Sequence, residues 1–442
     1  MMLIPNVPEV LMFVRKCFIA LAAALLASAA HAQSVMRDAA IAGDAEVALK
    51  ELISEALKNN PEIKAAFNEK EAARQRVSPA GALDDPMLEA GVINAPLASS
   101  TFRREDMTMK MLGLSQRLPY PGKRALRREI AEKDAESVQQ GYRETVNRVA
   151  REVRLAYYDL ALAIESARLI KDTTLVLEQF LRIAESRYTV GQGTQADVFK
   201  AQTQLAKMSE ELLRVEREVP VMEAELVKLL GRAGAAAPIE ARLPRLQETT
   251  FDLGSLRETA LRQRPQLLAL RTLVDKGGTA IDLARKEYNP DFDVRFSYGQ
   301  RDNMLDGTRR PDMASLTVAI NLPIWGEEKI DPRIAEARAM RDQAMSLYQA
   351  QQYEVFAKLR QQTAVAEQSR RSAQLYDTAI LPQAALAVES ALAAYRVSRV
   401  DLLTLLDSQM SLFNFGIGRA AAVVNLNKAL AEVDLLTGAA QF

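Results

Sequence analysis

Apolar positions along this chain follow two periods. Over most of it they recur every three or four residues, as in Leu49, Leu52, Ile53, Ala56 and Leu57, or in Val149, Val153, Ala156, Tyr157, Leu160 and Ile164. That spacing puts them on one face of a helix. In the second half the period drops to two in a pair of segments. Phe292, Val294, Phe296 and Tyr298 alternate with Asp293, Arg295 and Ser297. Ala314, Leu316, Val318, Ile320 and Leu322 alternate with Ser315, Thr317 and Asn321. The pattern predicts strands over 291–300 and 313–322. A weaker pair, 87–95 and 107–118, lies in the first half, joined by a polar loop. There Met107, Met109 and Met111 share a face opposite Thr108 and Lys110. An apolar strand face is the plain reading of that row; a thioether site for copper(I) is the alternative.

The helical stretches are long. Gly122 to Val190 is rich in the good helix formers Ala, Glu, Arg and Leu. At 1.5 Å per residue it would reach about 100 Å, too long for an ordinary globular core and suited to a wall of helices packed like a coiled coil. A second run, Lys329 to Val397, contains Pro382, which predicts a kink. Shorter helical patterns occupy Glu46 to Val77, broken at Asn59-Asn60-Pro61, and Leu253 to Glu287; return helices are predicted from Thr194 to Leu230 and from Asp401 to Leu436. Gly231 to Leu246, with several Ala and Pro residues, reads as a linker.

One stretch occurs twice. Tyr188, Val190, Gln202 and Leu205 match Tyr395, Val397, Gln409 and Leu412, each pair 207 residues apart. Upstream the spacing is 204: Leu49, Leu52, Ala56, Leu57 and Pro61 match Leu253, Leu256, Ala260, Leu261 and Pro265, and Leu118-Pro119 with Gly122 matches Leu322-Pro323 with Gly326. Leu230-Gly231 meets Thr437-Gly438, again at 207. The chain is therefore an internal duplication, with repeats over 33–240 and 241–442. Each runs helices, two strands, a long helix, a turn and a return helix. The turns fall at 191 and 398.

Composition narrows the function. Of 442 residues, 57 are Lys or Arg and 57 are Asp or Glu, so the net charge is zero. That offers no basic stripe for nucleic acid. Residues 1–32 read as a signal peptide: Arg15 and Lys16, an apolar run from Phe18 to Ala30, and a small-x-small site at Ala30-His31-Ala32. Residues before Met12 do not suit a signal, which makes Met12 a second candidate start. Cys17 opens the apolar run instead of closing it, so it is not placed for lipid attachment. The chain's single Cys and single His both lie in this segment. Its removal leaves no disulfide, no His-dependent triad, no thiol nucleophile and no His or Cys metal ligand. No cofactor motif replaces them. Gly191-Gln-Gly193 lacks the third glycine of a dinucleotide loop and follows a helix, and Gly122-Lys123-Arg124 lacks the Ser or Thr of a phosphate loop. Both read as glycine at helix ends. No apolar run left in the mature chain suits a membrane helix, so any insertion would use strands. About ten residues per strand suffice to cross a bilayer obliquely. Four strands cannot close a barrel alone, so closure would need several chains.

Acidic residues gather at the turns. Asp197 and Asp401 lie where helices begin, where a negative charge is favourable in itself. Asp407 lies more than a turn inside its helix. In a symmetric assembly each becomes a ring of carboxylates, a device that selects cations at a constriction.

The duplicated helix–strand–strand–helix order, the Leu-Pro-x-x-Gly strand ends and the Tyr-x-Val-Gly turn followed by Gln-x-x-Leu resemble the TolC-type outer-membrane efflux channels. Asp85-Pro86-Met87, Met107-Thr-Met-Lys and Gln116-Arg-Leu-Pro-Tyr-Pro-Gly122-Lys123 are similar to the members that serve heavy-metal tripartite pumps. The resemblance implies a mainly helical, duplicated protomer with a small β part. It implies a homotrimer with a twelve-stranded barrel in outer-membrane lipid and a helical α-barrel in the periplasm of a Gram-negative bacterium. In that setting Phe292, Val294, Phe296, Leu316, Val318 and Ile320 face lipid. The turns at Gly191, Gly193 and Ser398 form the inner tip. Tyr395, Arg399 and Asp407, with Asp401 and Asp197, are the aperture candidates, although Thr404 stands where many members have an acid and Ser398 replaces a glycine. The implied work is passive export of heavy-metal cations or drugs, without catalysis or cofactor. The implied partners are a periplasmic adaptor (membrane fusion) protein and an inner-membrane pump of the RND type. A soluble periplasmic coiled-coil adaptor or scaffold is the competing reading.

Overall fold

The computed structural model describes residues 46–97, 101–233, 238–246 and 248–439; the signal-peptide reading, with Cys17 and His31, lies outside them. In chain order the elements are α1 (46–59), α2 (Pro61–Ala80), β1 (Met87–Ile93), β2 (Met109–Leu118), α3 (Lys123–Thr189) and α4 (Gln195–Leu229). The second half repeats them as α5 (Leu253–Gln263), α6 (Pro265–Lys286), β3 (Phe292–Gln300), β4 (Met313–Ile320), α7 (Gly326–Leu375), α8 (Leu381–Arg396) and α9 (Leu402–Thr437). Among the described residues no helix is long and apolar enough to cross a membrane.

Pro382 does not break the second long helix. A π-helical turn, Tyr376–Ile380, links α7 to α8, and the backbone N–H of Leu381 donates to the carbonyl of Tyr376. Proline has no N–H to give to the residue four back. The wider turn absorbs that loss and lets the helix continue.

Two compact units emerge. The first takes its described residues from Met1–Pro61, Val146–Leu256 and Lys358–Phe442; the second is Glu62–Thr145 with Arg257–Ala357. Neither coincides with one sequence repeat, since each draws on both.

In the first unit α3, α4, α8 and α9 share a core of Leu177, Phe180, Met208, Tyr395, Leu402 and Leu405. Burying side chains of this size stabilises by about 1.5–3 kcal/mol each. Both repeats close alike. Gly231 and Gly438 sit at φ 68° and 71°, and the bonds Arg232 N to Val227 O and Ala439 N to Asp434 O, each 3.2 Å, finish α4 and α9 as Schellman ends. A side chain at Gly231 would also lie 2.8 Å from the carbonyl of Asn59, so glycine is required there on two counts. Asn60 Nδ2 donates to Leu229 O at 2.8 Å, and Arg232 grips both oxygens of Glu55 at 2.7 Å.

In the second unit the four strands form one antiparallel sheet in the order β1-β2-β3-β4. Its root is held by Lys123 at the start of α3. Buried, it donates to Asp291 Oδ1 at 2.7 Å and to Asn289 O at 2.8 Å. Asp291 also accepts the N–H of Tyr120 at 2.9 Å. The sequence Leu-Pro-Tyr-Pro-Gly-Lys thereby ties the exit of β2 and the start of α3 to the entry of β3. At the far end of the sheet, buried Arg310 donates to the carbonyls of Asp302 and Phe102, at 2.6 and 3.2 Å, fastening the two strand-linking loops to each other.

Candidate functional site

The two turns of the first unit carry the aperture candidates. Gly191 N donates to Tyr188 O at 3.0 Å and Gln192 N to Arg187 O at 2.8 Å. The second turn repeats this 207 residues on: Ser398 N to Tyr395 O at 3.1 Å and Arg399 N to Ala394 O at 2.9 Å. Gly191 and Ser398 are both left-handed, with φ of 69° and 58°. Glycine adopts that conformation freely, whereas serine does so at a cost. Gly193 has a different reason: a Cβ there would lie 3.2 Å from Tyr188 N and from Arg187 Cβ.

The return helices are capped by the same pair of groups in swapped order. Thr194 caps α4, and its hydroxyl accepts the N–H of Asp197, whose carboxylate accepts the N–H of Thr194. Asp401 caps α9, and its carboxylate accepts both the N–H of Thr404 at 3.0 Å and its hydroxyl at 2.5 Å. Asp197 and Asp401 therefore serve local capping. The hydroxyl of Thr404, then its N–H, holds the Asp401 carboxyl below the usual carboxylate range.

Arg187 is the residue that sequence reasoning missed. From the last turn of α3 its Nη1 donates to Tyr395 O, and its Nη2 donates to Gln192 O at 3.0 Å and to Ser398 Oγ at 2.6 Å. Its guanidinium carbon lies 4.4 Å from the centroid of the Tyr395 ring, a cation–π contact. One side chain thus ties both turns. The repeat could not reveal it, because Ala394 stands at the equivalent position; a basic residue in the last turn of a helix was the available signal. Tyr395 is buried, and its hydroxyl has no hydrogen-bond partner among the described residues. Burial pushes that hydroxyl's pKa up, opposed by Arg187. Arg399 is exposed. Within the protomer the arginine on Tyr395 is Arg187. Asp407 is exposed on α9, and no side-chain hydrogen bond or ion pair joins it to another described residue. Among the described residues no three Asp, Glu, His or Cys side chains converge as metal ligands.

The sheet of the second unit separates apolar from polar faces. Register pairs Phe292 with Ile320, Val294 with Val318 and Phe296 with Leu316. On the other side of β3, Phe292 meets Leu118, Phe296 meets Leu114 and Tyr298 meets Leu112, and Leu114 meets Leu88 of β1. Leu88, Leu114, Phe296, Leu316 and Val318 are at least half exposed, so a continuous apolar face lies uncovered on the protomer. The opposite face carries Glu89, Ser115, Asp293, Arg295, Ser297 and Thr317, with an Arg295–Glu89 ion pair at 3.3 Å. Met109 and Met111 belong to this second face: Met111 pairs with Gly299, and Met109 packs over that glycine. Met107 precedes β2, in a turn. The three methionines therefore form neither an apolar strand face nor a single row on one strand. The apolar parity of β2 is Leu112, Leu114 and Leu118. The strands are also shorter than their alternation predicts, with β1 ending at Ile93 and β4 at Ile320.

Comparison with known proteins converges on this arrangement. The family described as outer membrane efflux protein matches residues 52–232 and again 256–439, once per repeat. The cobalt-zinc-cadmium resistance protein CzcC of Cupriavidus metallidurans is 23% identical over 375 residues, 84% of this chain and 87% of that protein. The outer membrane efflux protein BepC of Brucella suis is 24% identical over 43% of this chain and 41% of its own. Among solved structures, CusC superposes with a TM-score of 0.76 at 16% identity, covering 88% of this chain and 92% of that one. VceC from Vibrio cholerae superposes at 0.74 and 18% identity, covering 88% and 96%. The chain belongs to the outer membrane efflux protein family, the trimeric channels that form the outer-membrane component of tripartite pumps, and its work is passive transport, not catalysis. That membership sets aside a soluble periplasmic scaffold.

Proposed function

We propose that this protein is the exit duct of a heavy-metal efflux pump. Three protomers each contribute one four-stranded sheet to a twelve-stranded barrel. The apolar face bearing Phe292, Val294, Phe296, Leu316, Val318 and Ile320 meets lipid, and the polar face lines the lumen. The carrying observation is the in-register apolar face, uncovered in the protomer and bounded by two unpaired strand edges, β1 and β4. Such edges invite pairing with another chain, and closing the sheet removes them.

The chain is secreted through a signal peptide over 1–32, cleaved and not lipidated. Its helical tip, with the turns at Gly191 and Ser398, meets a periplasmic adaptor and, through it, an inner-membrane RND-type pump. Similarity to the cobalt-zinc-cadmium resistance protein over 84% of the chain supports divalent cations as cargo. Deleting the gene should raise sensitivity to cobalt, zinc or cadmium several-fold and leave sensitivity to lipophilic drugs unchanged. Sensitisation to drugs alone would reassign the cargo.

A further inference from the structure

The hairpins α3–α4 and α8–α9 are repeats of each other, yet they bury different residues. Tyr395 and Leu406 are 2% and 5% exposed, while their counterparts 207 residues earlier, Tyr188 and Phe199, are 47% and 56% exposed. Val190 and Val397, equivalent positions in the turns, are exposed alike at 65% and 63%. The mismatch does not extend to that position of the turns. In the second hairpin Tyr395 and Leu406 are covered by the first: Arg187 sits on the Tyr395 ring, and Leu177, Phe180 and Ala184 join the same core as Leu406. Among the described residues none plays this part for Tyr188 and Phe199. The residues equivalent to Leu177, Phe180 and Arg187 are Ala384, Ala387 and Ala394 on α8, none of them buried.

We propose that Tyr188 and Phe199 of one protomer pack on the Ala384, Ala387 and Ala394 face of a second copy, in the register that joins the two hairpins within a chain. Two aromatic bodies meeting three small side chains is a shape match, and uncovered apolar side chains grouped on one face mark an interaction surface. The contact is heterologous, one face against a different one, so it propagates around a ring and closes. This rests on the trimeric reading above and adds which faces meet. It also makes the seams unequal. The seam within a chain has the Arg187 clamp, and the seam between copies has Ala394 in its place.

The register specifies a pair to test. Within a chain, Gln204 Nε2 donates to Met410 Sδ at 3.0 Å across α4 and α9. Shifting each partner by 207 residues brings Ser411 of one copy opposite Thr203 of the next, both exposed in the protomer. In a Cys17→Ser background, Thr203→Cys with Ser411→Cys should yield covalent trimers on a denaturing gel after treatment with a short bis-maleimide. Either single variant should stay monomeric there. Native mass measurement establishes separately that trimers are present. Trimers without crosslinks in the double variant overturn the register and leave the trimeric reading standing, and efficient crosslinking of a single variant overturns the heterologous contact. Absence of native trimers overturns both. As a second measurement, Phe199→Ser should lower the temperature at which trimers dissociate while leaving helical content unchanged; an unshifted temperature counts against the proposal.

Discussion

The guanidinium of Arg187 lies 4.4 Å from the ring centroid of Tyr395 and donates at 2.6 Å to Ser398, so the end of the first long helix fixes the turn of the second. Arg187→Ala removes this contact together with the bond to Gln192 O. Charge-assisted bonds and a cation–π contact at a half-buried site make the loss about 2 kcal/mol. The trimer should melt earlier, and single channels in planar bilayers should show higher conductance or more frequent openings. Arg187→Lys keeps the charge but loses the planar fork that spans these acceptors while stacking on the ring, so it should fall between wild type and alanine. Conductance equal to wild type in Arg187→Ala would remove this residue from control of the aperture.

Ser398 provides a second test of the same network. Its left-handed backbone disfavours serine by about 1–2 kcal/mol, and its hydroxyl regains about 1 kcal/mol through Arg187. Ser398→Gly should therefore be close to neutral in the wild-type protein. In an Arg187→Ala background the hydroxyl has lost its partner, and the same change should stabilise by about 1 kcal/mol. A double-mutant cycle on thermal melting measures the difference. Additive effects would show that the Arg187–Ser398 bond contributes nothing to stability.

Much of this arrangement is legible in the sequence because a duplication repeats its signals. The spacing of 207 residues aligns Gly191 with Ser398, Thr194 with Asp401, and Gly231 with Gly438, and each pair has the same backbone role in the structure. What the repeat hides is what differs between its copies. Arg187 is opposite Ala394, so comparing the halves gives no reason to single it out. The methionines mislead for another reason. Alternation in β2 is weak, and both parities hold apolar residues; only pairing with β3, whose parity is clear, decides that Leu114 lies with Phe296 and Met111 with Gly299. Pro382 marks the place of the irregularity, but the sequence does not show that a π-turn takes up the missing donor.

The sheet supports a parity test. Val318 pairs with Val294 on the apolar face, and Ser297 pairs with Ser315 on the polar one. An arginine on the lipid face costs about 2–4 kcal/mol at mid-membrane. Val318→Arg should reduce outer-membrane trimer yield sharply, and Ser297→Arg should leave it near wild type. Equal yields from the two variants would reject the assignment of faces.

Acid should weaken the second turn through Asp401. Its carboxyl pKa is lowered, first by the Thr404 hydroxyl and then by the Thr404 N–H. A carboxylate with a depressed folded pKa stabilises above its unfolded value, about 3.9, and that contribution fades as pH falls through the folded value. Melting temperature should thus drop more as pH falls below about 4, the unfolded carboxylate value, in wild type than in Asp401→Asn, which caps without titrating. Identical pH slopes in the two proteins would remove Asp401 as a contributor to acid sensitivity.

Asp407 supplies the test of the aperture itself. Unlike Asp197 and Asp401 it caps no helix, it is exposed, and no other described residue pairs with it within the protomer. In a closed trimer, three copies of this carboxylate would approach one another at the tip. Like charges at close range repel, and a bound cation relieves them. The closed tip should therefore pass cations in preference to anions at neutral pH, and multivalent cations should plug it. The competing account has Asp407 pairing with a basic side chain on a neighbouring copy and shaping the assembly without touching the conducting path. Asp407→Ala separates them. A role in the aperture requires loss of cation selectivity and of block by trivalent ions, read from reversal potentials and open-channel currents in planar bilayers, with trimer melting little changed. A structural role requires the reverse: an altered melting temperature with selectivity and block intact. Block unchanged in that variant would take Asp407 out of the conducting path and leave the Arg187–Tyr395 contact as the next candidate for the aperture.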